Sequence, residues 1–214
     1  MQKLSDSDRA KIKSSVQRAE QGTSGEIVPL IVPESYDFGW VALFWAFVGS
    51  QLGLFAAWYA THYTPQGWSL HLTEVMTWQT VGAVIGFFAG RLAFVQRWTV
   101  PGRWQAHAVH RQCLADFIGC GLHHTDDSTG VLIYISLRER RVEILADKGI
   151  HAHTPTDYWH DQVQKLVLGI QGKQSVATLC EVIETIGKKL EEKFPRRAGG
   201  KNEISDDVRE GHQD

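Results

Sequence analysis

Only three of the 214 residues are cysteine, Cys113, Cys120 and Cys180, an odd number with no CxxC pair of the zinc type. Cys113 and Cys120 stand seven apart on an expected helix, which separates their Cα atoms by roughly 10 Å, beyond disulfide reach. Reduced, packed thiols are the reading, and they suit the cytoplasm. Basic excess is also lacking: 22 Lys and Arg stand against 24 Asp and Glu, so nucleic acid is not an expected partner. No HExxH sequence and no glycine-rich phosphate loop occurs, and no cysteine has a base and an orienting third group that spacing can identify. The N-terminus is charged and helical in pattern, with no apolar h-region until position 38, so a cleaved signal peptide is not expected.

Against these absences stand two long apolar segments, Phe38–Ala60 and Val75–Val95. The first has 23 residues and no charge; at about 1.5 Å per residue it covers a hydrocarbon core of about 30 Å. The second has 21 residues and a single charge, Arg91, close to one end, where a long side chain reaches the headgroups. Both read as transmembrane helices, 38–60 and 75–95. Mean hydropathy over the whole chain is nonetheless −0.21, so the remainder is a polar, soluble-type sequence.

Orientation follows from charge. The connector 61–74 contains no Lys or Arg, whereas Lys3, Arg9, Lys11, Lys13 and Arg18 precede the first span and Arg91, Arg97, Arg103 and Arg111 lie in or after the second. The positive-inside rule places both termini in the cytoplasm and 61–74 outside. Trp40, Trp98 and Trp104, opposed by Trp58, Tyr59, Trp68 and Trp78, read as two interfacial belts. Gly49 and Gly53 in the first span and Gly82, Gly86 and Gly90 in the second have the spacing that lets helix backbones approach, either within the hairpin or between copies. Neither span carries an acid, which argues against a transport pathway.

The soluble parts read as α/β. Ser5 with Asp8 three residues on forms a capping-box start, followed by Ile12, Val16 and Ala19 on one face of a helix. GEIVPLIV at 25–32 is a strand in which Pro29 demands an edge or a bulge. After the spans, 105–122 reads as a helix burying Ala108, Leu114, Phe117 and Ile118 or their near neighbours, with a blurred period. GVLIYIS at 130–136, apolar on both faces, is the expected central strand, and 141–146 a half-buried partner joined through the turn around Arg138–Arg140. Thr154-Pro155-Thr156-Asp157 opens a helix with Thr154 as the cap, and a last helix carries Leu179, Ile183, Ile186 and Leu190. From 196 to 214 the chain has too little apolar surface to order itself. One strand and one helix precede the spans and the rest follow them, so neither part makes a core alone. An even number of spans lets 1–36 and 97–195 close one discontinuous domain around the hairpin.

Candidate chemistry is sparse. His107, His110, His123 and His124 lie near Cys113 and Cys120 in sequence, with His151 and His153 later; His107 and His110, three apart on a helix, can share one ion, with surface histidines as the plainer reading. Asp126 and Asp127, in HHTDDSTG before the central strand, can bind a hard cation through oxygen, or simply build a turn. Asp157 suits either that role or the dipole of its own helix.

Ser24-Gly25-Glu26-Ile27-Val28 and the stretch GLHHTDDSTGVLIYISLRERRVEILADKGI at 121–150 resemble the TPM domain family. The likeness is to the bacterial integral-membrane branch, with a tail like Asn202-Glu203-Ile204, and it covers about 1–36 and 103–208. It implies a TPM-like α/β sandwich with a small mixed sheet, interrupted by the two-helix transmembrane hairpin, in a bacterial inner membrane. Plant thylakoid relatives are associated with acid phosphatase activity and photosystem II repair, and some relatives bind divalent cations such as calcium. Where the family often has Gly-Tyr-Gly after the last strand, this chain has Ala146-Asp147-Lys148-Gly149, which weakens a phosphatase assignment. The resemblance carries the acids onto Asp126, Asp127 and Asp157 as metal ligands. The expectation is thus a membrane-held domain with an interaction or assembly role, whose partners are membrane lipid and a second copy or another membrane protein. The alternative is a divalent-cation-dependent phosphatase.

Overall fold

The computed structural model describes residues 4–63, 71–125, 128–196 and 207–211. In chain order the elements are α1 (Asp6–Glu20), β1 (Glu26–Val32), α2 (Gly39–Tyr63), α3 (Leu72–Arg91), α4 (Ala93–Thr99), α5 (Gly102–Gly119), a 3-10 turn (Leu122–His124), β2 (Gly130–Ser136), β3 (Arg141–Ala146), α6 (Lys148–His151), α7 (Thr156–Gln171), α8 (Ser175–Lys193) and β4 (Arg209–Glu210). They form two compact units, Met1–Ser35 with Ala106–Asp214, and Tyr36–Gln105.

In the first unit the strands lie in the order β3-β2-β1-β4, a small mixed sheet. β1 pairs with β2 in parallel from Glu26↔Gly130 to Val32↔Ser136, so strands on either side of the 36–105 segment share one ladder. β2 and β3 are antiparallel, joined by a four-residue turn whose Arg140 takes φ 53°. Every residue of β1 and β2 is buried, because each strand serves two cores. Ile27, Ile31, Val131, Ile133 and Ile135 face α1, α7 and α8, where they meet Ile12, Val16, Leu166, Leu179, Ile183 and Ile186. Val28, Leu30, Val32, Leu132 and Tyr134 face α5 through Val109, Cys113 and Phe117. This period of two makes a sandwich of α5, sheet, and the α1/α7/α8 layer. Each fully buried Ile or Leu contributes about 1.5–3 kcal/mol, so the burial on both faces of β2 makes it the heart of the fold.

β1 is not the edge strand that Pro29 leads one to expect, since β4 pairs beyond it; Pro29 is accommodated on the side of β1 that faces away from β2. The N–H of Ile27 turns away from β2 to Glu20 Oε1 at 2.8 Å, and Ile31 O turns the same way to accept from Gly211 at 3.1 Å. Pro29 lies midway and shares that direction, so its missing donor removes no bond from the β1–β2 ladder.

Four further expectations change. The face α5 buries is Ala108, Val109, Cys113 and Phe117, while Leu114 and Ile118 are exposed. Both sides of this helix carry apolar residues, so periodicity alone cannot choose between them. The helix α7 begins one residue later than Thr154 would cap: its N-cap is Pro155, without a side-chain bond, and Thr154 is buried. The segment expected to lack order contributes Arg209–Glu210, held to Leu30 and Ile31 through backbone, which needs little apolar surface; 197–206 and 212–214 lie outside the described residues.

The fourth change concerns the second apolar segment, in the unit Tyr36–Gln105. Among the described residues Gly39–Ala60 is one helix long and apolar enough to cross a membrane, whereas Leu72–Arg91 passes that test only together with Ala93–Thr99, across an 87° bend. The polar side chains of Thr73, Glu74, Thr77, Gln79 and Thr80 dilute its first half, although the Thr77 and Thr80 hydroxyls return to their own helix at 2.7 Å. At Leu92 the backbone turns extended (φ −68°, ψ 129°) and its N–H bonds back to Ala89 O, which ends α3. The continuous helix expected over 75–95 is therefore broken. Within the hairpin α2 and α3 meet through glycines: a Cβ on Gly49, Gly53 or Gly86 would stand 2.0–2.2 Å from a carbonyl oxygen of the facing helix. Of the expected belts, Trp40 and Trp104 come together at 6.4 Å between ring centroids, and Trp68 lies outside the described residues.

Candidate functional site

Two polar constellations occupy opposite ends of the sheet. The first lies where β1 and β2 begin and β3 ends. Leu122 is anchored with no exposure, and Gly121 before it takes φ 78°. Thr125 Oγ1 donates to Leu122 O at 3.3 Å and accepts the Thr129 N–H at 3.0 Å, while Ser128 donates to Thr125 O from a left-handed backbone, φ 54°. Thr129 in turn donates its hydroxyl to Ser24 O at 3.1 Å, and Glu26 donates its N–H to Thr129 O at 3.2 Å. Gly130 completes the turn, since a Cβ there would lie 2.6 Å from Leu122 O. This turn chemistry suits Thr, Ser and Gly at these positions.

Asp126 and Asp127 fall between these pinned ends, outside the described residues. Asp157 stands exposed in the first turn of α7, its carboxylate without a hydrogen bond or ion pair among the described residues. An acid there interacts favourably with the helix dipole.

One further acid reaches the loop. The β2–β3 hairpin returns the chain beside its own start, setting Val131 opposite Ala146, so Asp147 follows at the loop's edge and donates its N–H to Gly130 O at 2.9 Å. Its Oδ1 caps α6 by accepting the Lys148 N–H at 2.7 Å; its Oδ2 is buried with no hydrogen-bond partner among the described residues. The sequence marks Asp147 only as a departure from the Gly-Tyr-Gly pattern and not as a candidate ligand, although a four-residue turn between two apolar strands fixes this register. Hydroxyl and carboxylate oxygens of this type suit a hard cation. Among the described residues, however, no three His, Cys, Asp or Glu side chains converge to hold an ion.

The histidines do not assemble either. His110 Nδ1 meets Glu143 Oε1 at 2.5 Å on the exposed side of α5, and the His123 and His124 rings lie against each other, tilted by 45° with centroids 3.7 Å apart. Cys113, one turn after His110, has no exposure, and burial, with the Glu143 and Asp116 carboxylates adding to it, pushes its thiol well up. A nucleophilic cysteine requires the opposite environment.

The second constellation closes the other end of the sheet. Ser35 Oγ lies 3.0 Å from Tyr134 Oη and donates to Ser136 Oγ at 2.8 Å; the Ser136 hydroxyl donates to Glu139 Oε2, which also accepts the Ser35 N–H at 3.2 Å. Beside it Arg138 pairs with Glu34. Ser136 is 1% exposed, so no substrate reaches its hydroxyl, and the network fastens the end of β1 to the β2–β3 turn.

No protein-family model and no curated protein matches the chain. Among solved structures it is similar to the NMR structure of the BA42 protein from the psychrophilic bacterium Bizionia argentinensis. Identity is 16%, over 98% of this chain and 97% of that one, with a TM-score of 0.59. At this identity the likeness extends to the fold.

Proposed function

We propose that this chain is a TPM-like protein of the bacterial inner membrane, whose α/β unit is held at the cytoplasmic face by a two-helix hairpin and serves an interaction or assembly role. The observation that carries the reading is the distribution of apolar surface in 36–105. The two helices use glycines to meet and turn their large side chains outward: Leu43, Phe47, Phe55, Ile85 and Phe88 are each 59–66% exposed. Apolar surface of this extent, presented all round a helix pair, suits lipid and not water.

The test is membrane association and topology in a Gram-negative host. The full-length protein should stay in the membrane pellet through alkaline carbonate. A cysteine introduced at Gln66 should react with an impermeant maleimide from outside, and a C-terminal reporter should read cytoplasmic. Release by carbonate, or a C-terminus outside, would reject the reading.

The divalent-cation-dependent phosphatase keeps one supporting observation, the buried Asp147 Oδ2, which has no hydrogen-bond partner among the described residues and belongs to the residue that follows β3 next to Gly130. On that reading Asp126, Asp127, Asp147 and Asp157 would hold a cation such as calcium.

A further inference from the structure

The break at Leu92 does more than end a helix. α4 leaves α3 at 87°, and α3, with 20 residues, is about 30 Å long, the thickness of a hydrocarbon core. If α3 stands across a bilayer, α4 runs parallel to its surface. That direction is built in: Trp45 Nε1 of α2 donates to Thr99 Oγ1 at 3.0 Å, and Gln105 Nε2 donates to the Val100 and Arg97 carbonyls at 3.0 and 3.3 Å. Gln96 is buried on this inner side.

The outer side has the opposite character. Phe94 and Trp98, one turn apart, are 78% and 77% exposed, and Leu92 and Trp104 extend the same apolar run. Arg97 lies between them, with Arg91 and Arg103 at the two ends of the elbow, and all three are exposed. The Arg91 guanidinium lies over the Phe87 ring at 5.8 Å, while Arg97 and Arg103 have no ion pair among the described residues. No acid occurs between Val75 and Ala115. Apolar rings that bury at headgroup depth, interleaved with unopposed guanidinium groups, fit an anionic interface: the rings supply area and the arginines supply selectivity for phosphate.

We infer that α4 is an interfacial helix that docks the elbow of the hairpin on anionic phospholipid headgroups through Leu92, Phe94 and Trp98 with Arg91, Arg97 and Arg103. The inference rests on the membrane reading above and adds to it a depth, an orientation and a lipid preference.

The experiment uses the full-length protein in vesicles of phosphatidylcholine with or without phosphatidylglycerol, with Phe94→Cys carrying a fluorophore. Nitroxide lipids labelled at the headgroup should quench it more than lipids labelled at the chain end. Brominated phosphatidylglycerol should quench it more than brominated phosphatidylcholine. Each Arg→Gln change at 91, 97 or 103 should weaken that lipid preference about fivefold, and Arg→Lys should retain most of it. Strongest quenching at the bilayer centre would make α4 part of a broken span. Quenching by aqueous iodide alone would leave it in water, and protection from every quencher would place protein over it. Each of these three results overturns the inference while the protein remains membrane-bound, whereas release of the protein by carbonate rejects the membrane reading itself.

Discussion

Gly49 and Gly82 stand backbone against backbone: a Cβ on either would lie 2.1 Å from the carbonyl oxygen of the other. No rotamer relieves such a clash, because the obstacle is main chain. The small-residue pattern is therefore used within the chain to bring α2 and α3 together.

Gly49→Val or Gly82→Val should drive the helices apart and lower stability in detergent by about 1–3 kcal/mol or more. Gly39→Ala is the control, since its Cβ would meet nothing nearer than Asp37 Oδ2 at 3.5 Å. Thermal unfolding followed by size-exclusion chromatography reads both; equal melting temperatures for Gly49→Val and wild type would refute the packing argument.

A similar close approach joins the two ends of the chain. A Cβ on Gly187 of α8 would lie 2.5 Å from Ala19 Cβ and 2.8 Å from its Cα, so α1 packs on α8 at a distance only glycine permits. Gly187→Val should cost about 1–3 kcal/mol in urea unfolding and expose α1 to protease before the rest of the unit. An unchanged urea midpoint with α1 still protected would mean that the helix is seated elsewhere.

How much of this could be read from the residues depends on the kind of signal. GVLIYIS announces a strand buried on both faces, Pro29 marks the side of β1 that bonds nothing on β2, and Ser5 caps α1, accepting the Asp8 N–H at 3.2 Å, all by local chemistry. The elbow at Leu92 is hidden because a hydropathy window averages over a bend that no proline marks. The buried face of α5 is hidden because Leu114 and Ile118 are as apolar as Val109 and Cys113, and the choice is made by where the sheet lies. β4 depends on backbone bonds to a free strand edge, which composition does not report. The place of Asp147 beside Gly130 follows from the hairpin register, because the four-residue turn after Ser136 sets Ala146 opposite Val131.

Tyr158 supplies a pH dependence. Burial, with the Glu192 carboxylate adding to it, pushes its phenol from the ordinary 10 up to about 12, and its hydroxyl donates to Thr185 O at 3.2 Å. The folded state thus holds this proton more tightly than the unfolded chain. Its stabilisation is complete below pH 10 and is lost as the pH rises from 10 through 12. Urea midpoints should fall over that window, and Tyr158→Phe should flatten part of the fall; an identical slope for wild type and variant would show that Tyr158 is not responsible.

The interaction reading predicts little hydrolysis. Purified protein given a phosphomonoester such as p-nitrophenyl phosphate, with calcium or magnesium, should turn it over no faster than Asp126→Asn, Asp127→Asn, Asp147→Asn or Asp157→Asn. A cation-dependent rate lost at least tenfold in these variants would instead establish the phosphatase alternative.

Glu139 provides the sharpest separation of charge from hydrogen bonding. Its Oε2 accepts from both Ser35 N and the Ser136 hydroxyl, whereas its Oε1 is buried with no hydrogen-bond partner among the described residues. Removing the acceptor by Glu139→Ala strands two buried donors and should cost about 1–3 kcal/mol for each. Glu139→Gln keeps an oxygen for those donors and takes a buried carboxylate away, so its stability should lie near or above that of wild type. Denaturant unfolding of the three proteins checks the order. Should Glu139→Gln fall as far as Glu139→Ala, the carboxylate charge itself would hold the end of β1 to the β2–β3 turn, and the Arg138–Glu34 pair beside it would be the next contact to remove.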